Sequence, residues 1–188
     1  MKGKVKRRVI AWVLSFALVM GTVLGGPGLF MKAHAADAGV LYIIDSIGGT
    51  PESVTEDCTD SAGGWSYDAG TATLTLDGFQ GEYIEANGDI NIVLKGKNKI
   101  TISAESTEGI KSTGKVTIDD TISPVQDCLD IYCNDGTESV SMIYTGGFGA
   151  DYATYIVGGT VNLVEENTRR RYVTGISRWA YVENDASL

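Results

Sequence analysis

The chain has 188 residues, 24 acidic and 15 basic, and a single histidine, His34. No acid but six of the bases precede residue 36, so the segment after Ala35 carries a net charge of −15; such a surface repels phosphate backbones and anionic lipid heads and attracts divalent cations, so neither nucleic acid nor membrane is an expected partner. Because His34 lies before Ala36, Ser/His and Cys/His nucleophile pairs and histidine-ligated zinc are excluded from the remainder.

In chain order, MKGKVKRR supplies five basic groups and Val9 to Leu24 is apolar apart from Ser15, Gly21 and Thr22. Ala33-His34-Ala35 then places small residues at the first and third positions, which predicts a secretory signal peptide over 1–35 cleaved after Ala35. A permanent anchor is the weaker reading. The apolar run is shorter than the about 20 residues a bilayer span requires, and Gly25 to Gly28 (GGPG) breaks the chain before the Ala-x-Ala site. The product is expected outside the cell, in solution or at the cell surface, as one domain: a lead-in over 36–62, a repeat region over 63–164 and a tail over 165–188.

From Val40 onward short alternating runs are separated by Gly, Asp and Asn: Thr73–Leu76, Ile90–Leu94, Ile100–Ile102, Val116–Ile118, Leu129–Ile131, Ser141–Ile143 and Val161–Leu163. Period two in Ile, Val and Thr means brief strands, hence an all-β fold. The unit Gly-x-(Ile/Val)-x-(Ile/Leu) recurs at Gly88, Gly114 and Gly159, with steps of 26 and 45 residues. One step and another near twice its length predict a parallel β-helix, a solenoid of about five to seven short coils from Leu41 to Val164. Glycine is then needed at each tight corner. Leu74, Leu76, Ile90, Ile92, Val116, Ile118, Val161 and Leu163 are expected inside, and 101–114 and 119–134 read as corner loops. Cys58, Cys128 and Cys133 are odd in number; Cys128 and Cys133 can pair or, like Cys58, pack as thiols.

The stretch from Gly63 to Phe79 (GGWSYDAGTATLTLDGF), followed by Tyr83 to Thr101 and echoed at Ile156–Leu163, resembles the secreted right-handed β-helix proteins of Gram-positive anaerobes described as carbohydrate-binding domain-containing or cell-surface proteins. The resemblance covers 63–163. It implies a right-handed parallel β-helix, an extracellular setting and, for some relatives, binding of acidic plant polysaccharide with calcium. In place of further coils comes EENTRRRYVTGISRWAYVENDASL, a C-terminal cap or a truncated tail. As a cap, Tyr172, Val173, Ile176, Trp179, Ala180 and Val182 would cover the open end.

Sugars present C–H faces that stack on flat rings. The candidate rings are Trp65 with Tyr67, Tyr83, and the group Tyr144, Tyr152 and Tyr155 around Gly146–Gly149; Trp65 reads more readily as an N-terminal plug. Calcium takes six to eight oxygens, and the densest oxygen cluster is Asp119, Asp120, Asp127, Asp130 and Asp135. The sequence therefore points to a secreted, non-catalytic polysaccharide-binding protein. The alternatives are a structural adhesin module of the cell surface, or a small pectin-lyase-like enzyme using Lys111, Lys115 or Arg169–Arg171.

Overall fold

The computed structural model describes residues 40–103, 106–120, 127–133, 139–147, 150–165, 172–183 and 188. The chain divides between His34 and Ala35, and all of these residues belong to the unit that begins at Ala35. The fold is all-β: among the described residues there are strands and one 3-10 turn, Ala150–Tyr152, and no α-helix. An N-terminal group comprises β1 (Leu41–Ile44), β2 (Glu52–Val54), β3 (Cys58–Asp60), β4 (Trp65–Asp68), β5 (Thr73–Asp77) and β6 (Gln80–Gly81). Then follow β7 (Tyr83–Ala86), β8 (Ile90–Lys95), β9 (Lys97–Ile102), β10 (Glu108–Ser112), β11 (Val116–Asp120) and β12 (Cys128–Cys133). The last are β13 (Val140–Thr145), β14 (Thr154–Ile156), β15 (Thr160–Glu165), β16 (Val173–Ser177) and β17 (Ala180–Val182).

Three sheets result. Sheet A runs β16-β13-β10-β7-β1-β2, sheet B β17-β14-β11-β8-β5-β4-β3, and sheet C β15-β12-β9-β6. From β7 onward each strand pairs in parallel with the strand three places later, so the chain visits A, B and C in rotation. The circuits β7-β8-β9, β10-β11-β12 and β13-β14-β15 are complete, and β16-β17 begins another. That is fewer than the five to seven expected, because the N-terminal group is built differently: β1 lies antiparallel to both β2 and β7, and β4 lies antiparallel to both β3 and β5.

Stacked side chains hold the circuits together. Ile43, Ile84, Ile110, Ile143 and Ile176 are register partners across sheet A, as are Leu74, Ile92, Ile118 and Ile156 across sheet B and Ile100, Ile131 and Leu163 across sheet C. Most of these are fully buried in one core, each contributing on the order of 1.5–3 kcal/mol of apolar burial. Seven of the eight expected core residues are buried, and Leu163 is half-buried against them. The step between partners is uneven, 26 residues from Ile92 to Ile118 but 38 from Ile118 to Ile156. Only the strands are held in register; the connections between them vary in length.

The glycine phrase is explained differently at its three copies. Gly88 turns the corner into β8 at φ +117°, and Gly114 stacks on it so closely that a Cβ would stand 2.6 Å from the Gly88 carbonyl carbon. Gly159, at φ +73°, precedes β15 in sheet C and not a strand of sheet B. The 45-residue step therefore joins two different corners and is not a double coil.

Corner polar groups are satisfied across circuits. Buried Asn98 accepts from the Phe79 N–H at 3.0 Å and donates to the carbonyls of Lys95 and Cys128 at 3.2 Å. Ser112 Oγ donates to the Gly88 carbonyl at 2.5 Å and accepts from the Gly114 N–H at 3.0 Å.

Other expectations change too. β10 lies within 101–114, read as a loop, and β12 extends the expected Leu129–Ile131 strand to Cys128–Cys133 within 119–134. Cys128 and Cys133 are the two ends of one extended strand, about 16 Å apart at strand rise, and cannot bridge. Val173 and Ile176 are half-buried in a further strand of sheet A, whereas Tyr172, Trp179, Ala180 and Val182 are exposed; the described part of the tail adds strands to sheets A and B.

Candidate functional site

Alternation along β4 decides the fate of the first ring pair. Trp65 stands opposite Leu76 and Tyr67 opposite Leu74, and all four point into the core, Trp65 2% and Tyr67 6% exposed. Neither ring offers a face to a sugar, so both leave the candidate platform. Trp65 Nε1–H donates to Asp45 Oδ2 at 3.3 Å, and burial, followed by the charge of Asp68, pushes the Tyr67 hydroxyl above its ordinary pKa.

The remaining tyrosines are dispersed. Tyr83 is half-buried on the outer side of sheet A, where its hydroxyl donates to Glu85 Oε2 at 2.9 Å; burial first and that carboxylate second hold its pKa well above 10.0. Tyr144 faces outward on the same sheet as the register partner of Lys111. Tyr152 sits on the 3-10 turn with its ring over Gly147, leaving no room there for a Cβ. Tyr155 belongs to sheet B. The three tyrosines of the glycine-rich segment thus do not form one group.

Tyr155 has a partner that sequence reasoning missed. Its ring lies 4.8 Å from that of Tyr181, centroid to centroid, with 11° between the planes. Thr73, Asn91, Thr117, Tyr155 and Tyr181 are successive register partners across β5, β8, β11, β14 and β17, forming one outward strip along sheet B. Lys115 Nζ lies 5.8 Å from the Tyr155 centroid, and Tyr181 and Trp179 are 43% and 57% exposed. A signal was present: Tyr181 follows Tyr155 by 26 residues, the step separating Gly88 from Gly114.

The five acids also separate. Asp119 and Asp120 end β11, and Asp127 leads into β12 at the same corner. Around the Gly158–Gly159 turn a Cβ on Gly158 would meet Asp119 Oδ1 at 2.6 Å and Asp120 Oδ1 at 2.8 Å, and one on Gly159 would meet the Asp127 carbonyl at 3.0 Å. Asp127 Oδ1 accepts from the Gly96 N–H at 2.6 Å, while the buried Oδ2 atoms of Asp120 and Asp127 have no hydrogen-bond donor among the described residues. Asp130 lies elsewhere, on the outer side of sheet C, accepting from Asn162 Nδ2 at 2.7 Å. Asp135 lies outside the described residues. Among those described, no three Asp, Glu, Cys or His side chains are gathered as a complete metal-ligand set.

The N-terminal half of sheet B carries an open trough that sequence reasoning did not anticipate. The outward row Thr59, Ser66 and Thr75, register partners across β3, β4 and β5, forms its middle, and the depressions on either side enclose about 400 and 290 Å³. Asp57, Asp68, Thr71 and Thr73 line the larger one.

Of the amine candidates, Lys111 forms a 3.0 Å ion pair with Glu85. The hydrogen bond to Glu85 is the main cause of its raised pKa, so the ammonium stays charged at neutral pH. Arg169–Arg171 lie outside the described residues. No family model, curated protein or solved structure matches the chain.

Proposed function

We propose that this chain is an exported, non-catalytic polysaccharide-binding domain on a right-handed parallel β-helix. The rotation through three sheets with parallel pairing three strands apart supports the helix, and crossovers between parallel strands are right-handed in about 98% of cases. Export rests on the basic, apolar and Ala-x-Ala succession of residues 1–35.

The observation that carries the binding reading is the Tyr155–Tyr181 stack on an outward strip that also bears Asn91, Thr117 and Lys115. Rings supply the apolar face, the amide and hydroxyl take sugar hydroxyls, and the ammonium favours a glycan carboxylate. Calcium is the proposed bridge between an acidic chain and an acidic polymer. Asp119 lies two residues beyond Thr117, and the donor-less oxygens of Asp120 and Asp127 are hard ligands whose burial a cation would offset. Carbonyls, water and the glycan's own carboxylates would complete the shell.

A glycan array with and without calcium tests the proposal. Acidic polysaccharide should be retained and chelator should release it, and Tyr155→Ala with Tyr181→Ala should weaken retention by on the order of 1–3 kcal/mol without unfolding the domain. Conversion of pectin to unsaturated fragments would favour the lyase. No retention of any glycan would leave the structural adhesin. Mass spectrometry of exported protein should find Ala36 at its N-terminus.

A further inference from the structure

We infer that the trough across β3, β4 and β5 is a second binding site, meeting the tyrosine strip only at Thr73, for a hydroxyl-rich chain bearing amines: a partly deacetylated amino-sugar polymer. The trough has its own chemistry. Its middle is a row of three hydroxyls, Thr59, Ser66 and Thr75, extended along the strand by Thr73 and Thr71, whose Oγ1 atoms are 2.9 Å apart. Each hydroxyl donates and accepts, which suits the hydroxyls of a sugar lying along the strand direction. Trp65 and Tyr67 border the trough but are almost wholly buried, so recognition there is polar and not by stacking.

Charge selects among sugars. The smaller depression holds Asp60 and Asp77 with Lys95, whereas in the larger one the charged lining side chains are Asp57 and Asp68. Both are held in place: Asp57 Oδ1 accepts the Ala69 N–H at 2.9 Å and Asp68 Oδ1 the Thr71 N–H at 3.1 Å. Each therefore presents its second oxygen from a fixed position, ready for an ammonium donor. An acidic polymer would be repelled here, and a neutral one would leave the carboxylates unused. Six hydroxyl-bearing side chains, counting Ser61 in the smaller depression, favour an amino sugar over a basic peptide, which has backbone amides but few hydroxyls to meet them.

Calorimetric titration of the domain with a glucosamine hexamer, its fully N-acetylated counterpart and a lysine hexamer decides the matter. The glucosamine hexamer should bind, the acetylated one at least about tenfold more weakly, and Asp57→Asn with Asp68→Asn should lower glucosamine affinity by about tenfold or more. Asp130→Asn on sheet C and Tyr155→Ala with Tyr181→Ala should leave it unchanged, which separates this site from the strip. No binding of the glucosamine hexamer overturns the inference, as does equal or tighter binding of the lysine hexamer. Loss of acidic-polysaccharide binding in the tyrosine variant alone would bear on the strip and not on the trough. Should the double aspartate variant prove unfolded by circular dichroism, Thr75→Val, which keeps the strand and removes one hydroxyl of the trough's middle row, should weaken the glucosamine hexamer several-fold, and unchanged binding then overturns the inference.

Discussion

The two ends of the molecule bury their large rings in opposite ways. In the N-terminal group, β3, β4 and β5 are joined by short turns, each opening on an aspartate: Asp60 Oδ1 accepts the N–H groups of Ala62 and Gly63, and Asp68 Oδ1 that of Thr71. Those backbone hydrogen bonds hold the Asp60 pKa below its ordinary value. Reversal of the chain within a few residues lets Trp65 and Tyr67 fold back over the leucines of β5. At the other end β16 and β17 are the last strands of sheets A and B, and Tyr172, Trp179 and Tyr181 stand exposed beside them. The difference teaches that local turn chemistry can fold rings back over a stacked core. A parallel circuit, which needs a connection of a dozen or more residues, leaves a free edge wherever it stops.

This contrast predicts unequal costs for equal substitutions. Trp65→Ala should destabilise the domain by about 3–5 kcal/mol in chemical denaturation, as expected for a buried ring, and Trp179→Ala by less than about 0.5 kcal/mol. Comparable losses would mean that Trp179 is covered in solution and that the ends are alike. Next comes the join between the regions, where Asn98 of β9 ties Phe79 of the N-terminal group to Cys128 of β12. Asn98→Ala should cost on the order of 1–3 kcal/mol by leaving the buried Phe79 N–H unpaired, whereas Asn91→Ala on the exposed face should cost far less.

The smallest effect is a pH dependence at the same join. Buried Glu82 follows β6 and binds both regions, accepting from the Gly48 N–H at 2.9 Å and from Ser106 Oγ at 3.1 Å. Burial alone would raise its pKa, but hydrogen bonds from Ser103, Gly48 and Ser106 outweigh it and leave the carboxyl below 4.5. A group depressed on folding stabilises above its unfolded value, and that stability is lost as pH falls through the folded value. The thermal midpoint should therefore decline below about pH 4.5, and Glu82→Gln should lower the midpoint at pH 7 while flattening that decline. A variant retaining the full wild-type acid dependence would assign it to another carboxylate.

Period-two runs of Ile, Val, Leu and Thr were enough to predict an all-β chain and most of its core, because a side chain's face on a strand depends only on whether its position is odd or even. The corner glycines Gly88 and Gly114 were legible for a similarly local reason. The two N-terminal hairpins were legible in principle from Asp60 and Gly64 and from Asp68 and Gly70, but the alternation of β4 and β5 looks the same in either strand direction. What joins Tyr155 to Tyr181, sends Trp65 and Tyr67 inward, parts Asp130 from Asp119 and Asp127, and sets Thr59, Ser66 and Thr75 in one row was decided only in three dimensions. Each depends on the register between strands: across the short turns of β3, β4 and β5 the hairpins set it, and elsewhere it is chosen by stacking isoleucines across connections of unequal length, which no fixed spacing records.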